Sequence, residues 1–376
     1  MKFPPEYPDY ITPGPISWRR WGILLAAIWL IGSFLALLLR STEQAPSGLA
    51  FWFFIIGFPS LFWALALAIR YLLLQIGLKN RSSYQQVVEQ EQNDWWQERS
   101  LGIAIEKVYL IGPFGDEQSL YSGIMTGGTP APNNPTLSSL RYPLLLNMPT
   151  AREQGLAHHL AQQLINSPEI KSRWQSLAYI SWFGDEASFQ IFIETIKSAV
   201  NSISFIRLDL KCIDDMDHVI DVFQQSVDAN KWMLCAGTYS LSQSADAIPA
   251  GEAGFAWIAS QAGNALLHRA EEIDVASDVE SGMAARHLER YAHLDDMPEC
   301  CLAMDQKSMA QFQPGGWSAI EHILAPYWGA LGEISPYIAI SMSLLHTLDT
   351  QQSCGWMSQC TENKMVIGVT VPHGNR

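Results

Sequence analysis

Cys212 is the residue whose type and position suit it to covalent chemistry. It lies in the stretch Ser204 to Ser240, SFIRLDLKCIDDMDHVIDVFQQSVDANKWMLCAGTYS. A strand-like run, Ser204 to Leu210, precedes it. A helical pattern follows from about Asp214, with Val219, Ile220, Phe223 and Val227 recurring on one face. Asp228, Ala229 and Asn230 break that helix, and a second buried-looking run, Trp232 to Ala236, ends at Gly237. The spacing predicts a strand–helix–strand unit with the thiol at the strand-to-helix turn. The positive end of a helix favours a thiolate, the nucleophilic form of cysteine. Opposing it are Asp214 and Asp215 beside the thiol, with Asp209 and Asp217 close by, whose charges resist thiolate formation. In that case Cys212 is a small, mostly buried apolar residue.

The other titratable groups carry less. His158 and His159 fall in a helical pattern, Arg152 to Ile165. Adjacent residues on a helix point about 100° apart, which makes them a poor metal pair. The six cysteines show no CxxC pair and no regular spacing, so neither a disulfide framework nor a zinc site is indicated. The Gly127-Gly128 pair lacks both a Gly-Lys-Ser/Thr and a GxGxxG context. The region from Pro113 to Ser139 therefore reads as a long surface loop, and no cofactor is expected.

The elements that must hold these residues fall into two parts of the 376-residue chain. Trp21 to Leu39 is nearly all apolar, and Phe51 to Ile69 is a second apolar run, continuing through Tyr71 to Ile76. Each is long enough to span a hydrocarbon core of about 30 Å. The reading is a polar N-terminal segment 1–20, a transmembrane hairpin 21–78 with spans at 21–39 and 51–69, a connector 79–102, and an α/β domain 103–376. The domain would divide into halves of 103–245 and 246–376. Pro59 is expected to kink the second span or end a turn. The connector is Gln/Glu-rich and reads as a juxtamembrane helix. Lys2, Arg19 and Arg20 precede the first span, and Arg70, Lys79 and Arg81 follow the core of the second. The intervening loop holds Arg40 at its edge and Glu43. This asymmetry places both ends, and the domain, in the cytoplasm.

Five of the 23 Lys and Arg and three of the 37 Asp and Glu lie in the first 78 residues. Residues 79–376 therefore carry 18 basic and 34 acidic side chains, a net charge of −16. Such a surface is a poor partner for nucleic acid or anionic lipid. Within it, strand patterns at Ile103–Ile111, Tyr142–Leu146 and Leu177–Trp182 alternate with helical ones at Arg152–Ile165 and Phe189–Val200, which argues a layered α/β fold.

The Cys212 unit resembles the nucleophile elbow of thiolases and ketoacyl synthases, in which the cysteine opens a long helix and a strand ending in Ala-Gly or Gly-Gly follows; Ala236-Gly237 stands at that spacing. Three later segments resemble the same family in order. IPAGEAGFAWIAS, Ile248 to Ser260, matches its GE-apolar strand through Glu252 and Gly254, and leads through His268, Arg269 and Glu271 into Ile273 and Val275. Cys300 to Met304 is a strand that ends at Asp305, where the active family has His-Gly-Thr. PYWGALGEISPYIAISMSLLHTL, Pro326 to Leu348, resembles its Gly-His-x-x-Gly turn and buried helix; Gly332 matches the later glycine, which puts Gly329 where a catalytic histidine belongs. Lys364 to Val371 closes the chain as a core strand.

The resemblance thus implies a thiolase-like domain whose site positions, Cys212, Asp305 and Gly329, lack both histidines. His322 and His346 sit in helical patterns and read as structural. Joined to a membrane tether, this resembles the thiolase-like accessory proteins of bacterial type VI secretion loci, in particular the membrane-tethered adaptor for a lipase effector. That implies a non-catalytic adaptor binding a protein cargo at the cytoplasmic face of the inner membrane. It also implies a dimer, unless the tether prevents one. Two alternatives stay open: a membrane-bound acyl-thioester enzyme using Cys212, and an immunity or assembly factor whose hairpin is the working part.

Overall fold

The structure, a computed structural model, describes residues 2–40, 48–132, 139–145, 151–200, 203–244, 248–274, 277–312, 315–317, 322–361 and 363–374. The chain divides into two compact units: Pro4–Trp95, and a larger one formed by Met1–Phe3 with Trp96–Arg376.

In the smaller unit, helix α1 spans Trp18–Arg40 and helix α2 spans Phe58–Ser100, its last five residues belonging to the larger unit. Both are long and apolar enough to cross a membrane. They pair antiparallel: the Trp63 indole donates to the Trp21 carbonyl at 3.1 Å, Trp29 donates to Ser60 at 2.9 Å, and Gly32 packs directly on Ile55. Their outer faces are uncovered, with Leu30 at 72% and Leu37 at 70% exposure. Pro59 lies in the first turn of α2, behind a π-helical turn at Phe53–Gly57; Pro supplies no N–H and its ring displaces the preceding carbonyl, so the ladder widens there. The connector is helical, as its composition suggested. It continues α2 without a break to Ser100, a rod of about 65 Å. The proline-rich segment before α1 runs back along this rod: Tyr84 donates to the Pro8 carbonyl and Arg70 to that of Gly14. The loop expected to carry Glu43 lies outside the described residues.

The larger unit is built on eleven strands among the described residues: β1 Gly102–Ile111, β2 Ser139–Leu140, β3 Leu177–Phe183, β4 Ile206–Asp209, β5 Trp232–Ser240, β6 Ala250–Ala259, β7 Ala265–His268, β8 Glu271–Asp274, β9 Cys300–Ala303, β10 Cys354–Thr361 and β11 Lys364–Pro372. Nine follow one path, β4-β3-β5-β6-β1-β7-β11-β10-β9; β2 attaches to β6 and β8 to β11. Residues of both expected halves contribute to this one sheet. Strand β1 joins them, antiparallel to β6 on one side and β7 on the other.

Alternation decides the layers. In β5, Trp232, Leu234 and Ala236 face one core and Met233 and Cys235 the other; β6 divides likewise, with Ala256 and Ile258 opposite Phe255 and Trp257. Strands buried on both faces read as continuous apolar runs, as these do. The outer core is closed by α4 (Arg152–Asn166) and α5 (Glu186–Ala199). The inner core is filled by α6 (Asp215–Ser226) and α9 (Ser335–Thr350). Helix α9 touches β1, β6, β7, β9, β10 and β11, so the sheet wraps around it. Its buried residues encircle it from Pro336 to Leu345, as a central helix requires. Its hydroxyls are paired inside: Ser343 and Thr347 with Thr370, and Ser341 with the Trp257 indole. Helices α7 (Asp278–Tyr291) and α8 (Gln306–Phe312) pack against β8 and β11 and against β9 and β10.

Several expectations need correcting. The loop expected from Pro113 contains helix α3, Gln118–Met125, which buries Tyr121, Ile124 and Met125. Tyr142–Leu146 is not a strand: Pro143–Leu145 forms a 3-10 turn because Pro143 has no N–H and the Tyr142 N–H is taken by Glu252, while Leu146 lies outside the described residues. Strand β5 does not stop at Gly237 but continues to Ser240. A Cβ at Gly237 would stand 2.5 Å from the Phe183 carbonyl oxygen, so glycine lets β3 and β5 pair there. The charged stretch His268–Glu271 is buried; Val275 lies outside the described residues.

Candidate functional site

Strand β4 is the sheet edge, parallel to β3, and the chain leaves it through a turn that holds Cys212 before α6 begins at Asp215. The strand–turn–helix placement is as expected. The burial is not: Cys212 is exposed, and β3 stands between β4 and β5. The turn is occupied by carboxylates. The N–H groups of Lys211 and Cys212 both donate to Asp215 Oδ2, at 2.7 and 3.1 Å. The thiol is pushed above its ordinary range, by desolvation first and then by the charges of Asp215 and Asp214, which together outweigh the backbone N–H groups of those two residues.

Asp305 follows β9 and caps α8, its Oδ1 accepting from the Ser308 N–H at 2.8 Å. Gly329 takes a φ of 73°, and a Cβ there would overlap the Pro249 carbonyl oxygen. The neighbouring backbone is fixed by Ala330 N–H to the Pro249 carbonyl and Gly251 N–H to the Ala330 carbonyl, both 2.8 Å. No side chain fits at Gly329. Among the described residues, no hydrogen bond or ion pair joins Asp305 to Cys212.

Beside the elbow, a cleft of about 320 Å³ opens at the carboxyl ends of β3 and β4, lined by Glu153, Trp182, Arg207, Lys211, Tyr239 and Glu333. Ligand sites of open α/β sheets lie at this end. Cys212 does not line it. Burial pushes the Glu153 carboxyl and the Tyr239 phenol up.

Glu252, the matched acidic residue of the GE strand, is structural. Its side chain is fully enclosed and receives Arg152 through two nitrogens, at 2.6 and 2.5 Å, Arg141 at 3.2 Å, the Tyr142 N–H at 2.7 Å and the Ser240 hydroxyl at 3.0 Å. Burial works to raise its carboxyl, and Arg152 with the other donors prevails and lowers it. His158 bonds Thr195 through Nδ1, and no metal-holding group of His, Cys, Asp or Glu is found among the described residues.

Sequence reasoning missed a second charged cluster. Arg99, at the end of α2, is enclosed and bridges Asp217 at 2.6 Å and Glu271 at 3.0 Å; Tyr291 donates to Glu271 at 2.6 Å. Lys2 joins both acids, its N–H to Glu271 at 2.9 Å and its Nζ to Asp217 at 2.5 Å. Phe3 and Trp96 pack edge-on against His287. The signal was Arg99, a basic residue that follows the run Glu89, Glu91, Asp94 and Glu98 in the connector.

No protein-family model matches the chain, and no curated protein matches it by sequence. Solved structures do. The ishigamide ketosynthase/chain length factor matches with a TM-score of 0.51 at 13% identity, over 73% of this chain and 100% of that one. The ketosynthase from module 1 of the bacillaene synthase from Bacillus amyloliquefaciens FZB42 matches with a TM-score of 0.51 at 8% identity, over 74% of each chain. With the central helix, the wrapped sheet and the outer helices described above, these likenesses establish the fold of the larger unit as thiolase-like.

Proposed function

We propose that this chain is a membrane-anchored thiolase-like scaffold that performs no condensation at Cys212 and holds a protein partner at the cytoplasmic face of a bacterial inner membrane. One observation carries the non-catalytic part: the backbone at Gly329 admits no side chain, so a polarising histidine has no place there. An acyl-transfer site needs an activated thiolate and donors aimed at the developing oxyanion. Cys212 instead has a raised thiol and acidic neighbours. The partner is read as a type VI secretion effector because the thiolase-like fold and the apolar hairpin occur in one chain. The scaffold's outer surface and its net negative charge are what such a cargo would meet.

The ketosynthases among the fold neighbours favour a second reading, a membrane-bound acyl-thioester enzyme using Cys212. One variant separates the two. Cys212→Ala in the full chain should complement a deletion strain in full if the protein is a scaffold. A variant that is abundant and membrane-located by blotting, yet inactive, would overturn the scaffold reading and leave the enzyme.

A further inference from the structure

Cys300 opens β9 and Cys354 opens β10, and the parallel register pairs them directly. Neighbouring strands lie about 4.8 Å apart, inside the Cα separation of roughly 4.4–6.8 Å that a disulfide spans. Both residues open their strands, and Cys354 is also paired to Thr370 of β11. Alternation turns Cys300 and Leu302 toward α9, with Cys354 and Trp356 beside them. Cys301 points to the opposite face, its sulfur 3.3 Å from where a Cβ on Gly355 would stand. Cys354 is fully buried and Cys300 is half-buried.

Two imidazoles complete the cluster. His346 comes from the last turns of α9, and both its ring nitrogens are enclosed without a partner in hydrogen-bonding geometry among the described residues. The same ring borders a cavity of about 750 Å³ with Lys107, Gln118, Met125, Asn264 and Leu348. His322 is not helical as expected. It lies in an extended segment bound to β9: its carbonyl accepts the Ala303 N–H at 3.0 Å, and Ile323 bridges to Ala303. The Cys354 thiol, and then His322 and His346, hold the Cys300 thiol well below its ordinary range against the cost of burial. Burial, and next the Cys300 sulfur, push the Cys354 thiol up. This asymmetry favours Cys300 as the attacking sulfur and Cys354 as the resolving one.

We infer that Cys300 and Cys354 form a peroxide-oxidisable dithiol in which Cys300 is the attacking sulfur and Cys354 resolves it to a disulfide between β9 and β10. In the first step the Cys300 thiolate attacks one oxygen of hydrogen peroxide. The O–O bond breaks, the departing oxygen takes up a proton from solvent and leaves as water, and Cys300 becomes a sulfenic acid. In the second, Cys354 attacks the Cys300 sulfur while its proton passes by way of the imidazole to the departing hydroxyl. The S–S bond forms, the S–O bond breaks and a second water leaves. The two thiols lose two electrons together, and peroxide gains them.

The test uses the full-length reduced chain in detergent micelles, treated with equimolar hydrogen peroxide, alkylated with N-ethylmaleimide and digested without reductant. The expected main product is a peptide pair linked Cys300 to Cys354, with Cys212 still alkylated; a Cys301→Ala variant fixes the assignment within the shared peptide. In Cys354→Ser the disulfide should vanish and a dimedone adduct appear on Cys300. In His346→Asn the oxidation of Cys300 should slow by roughly tenfold or more. The inference is overturned if Cys212 oxidises first while Cys300 and Cys354 are both alkylated, or if the linkage involves Cys301 or Cys360. The wild-type chain alone decides these outcomes should a variant fail to fold.

Discussion

Gly329 packs its α-carbon against the carbonyl of Pro249, at a φ of 73° that leaves no room for a Cβ. The position that the ketoacyl-synthase pattern assigns to a histidine is thus closed by the backbone. Gly329→Ala should destabilise the full-length chain by roughly 2 kcal/mol or more, through positive-φ strain and overlap with Pro249. Gly329→His should be worse and should confer no condensing activity. Denaturant unfolding in micelles, followed by tryptophan fluorescence, reads the first effect; a neutral Gly329→Ala would refute the packing described.

Glu252 draws two guanidinium groups into one enclosed site. Glu252→Ala would leave Arg141 and Arg152 without their shared acceptor. Breaking a buried pair on one side costs about 3–5 kcal/mol. Loss of that size, with a clearly smaller loss for Glu252→Gln, is the expected outcome of thermal unfolding. Equal midpoints for Glu252→Ala and the unmodified chain would mean that the site is not closed as described.

Acid should weaken both buried clusters, that of Glu252 and that of Asp217 with Arg99. For Asp217, burial works to raise the carboxyl, and Arg99, Lys2 and Arg269 prevail and lower it; Glu252 is lowered in the same manner by Arg152. A folded value below the unfolded one means that the unfolded chain binds more protons. Stability from these groups is therefore complete above the usual carboxylate range near pH 4 and is lost as pH falls through the depressed values. Glu153 and Asp214, pushed up by burial, act in the opposite sense and soften the upper end of the transition. The thermal midpoint should fall as pH drops below the usual carboxylate range, and Arg99→Gln should lessen that fall. An unchanged acid limb in Arg99→Gln would refute the role given to Arg99.

How much of this was legible in the sequence depended on which force set each element. Strands buried on two faces, such as Trp232–Ser240, declare themselves as apolar runs, and α9 declares itself by being apolar all round. The turn at Cys212 could be placed because a strand pattern gives way to a helical one there. Exposure of its thiol could not be, because β4 lies at an edge only once β3 has paired beside it. Helix α3 was hidden by the glycines and prolines that follow it, and its buried Tyr121, Ile124 and Met125 gave the only signal. The Cys300 cluster was unreadable for a different reason. Its four side chains come from residues 300, 322, 346 and 354, and only the β9–β10 register brings them together.

The last prediction concerns the membrane. Lys2 bonds Glu271 and Asp217, and Phe3 packs on His287, so the start of the chain belongs to the same compact unit as residues 96–376. A chain that leaves this unit at Pro4 and rejoins it at Trp96 must cross a bilayer an even number of times or not at all. Two helices between those points are long and apolar enough to cross, which fits a hairpin. From Lys2, Arg19 and Arg20 on one flank and Arg70, Lys79 and Arg81 on the other, we predict that this shared side faces the cytoplasm. A reporter fused after Arg376 should therefore work only as a cytoplasmic protein. The exposed thiol of Cys212 gives an independent reading without a fusion: a membrane-impermeant maleimide should label it in inverted inner-membrane vesicles and leave it unlabelled in intact spheroplasts. Lys2→Glu should weaken the hold of the first residues on Asp217 and expose them to aminopeptidase, while leaving the orientation unchanged. Periplasmic alkaline phosphatase activity from the Arg376 fusion, or labelling of Cys212 in intact spheroplasts, would reverse the assignment.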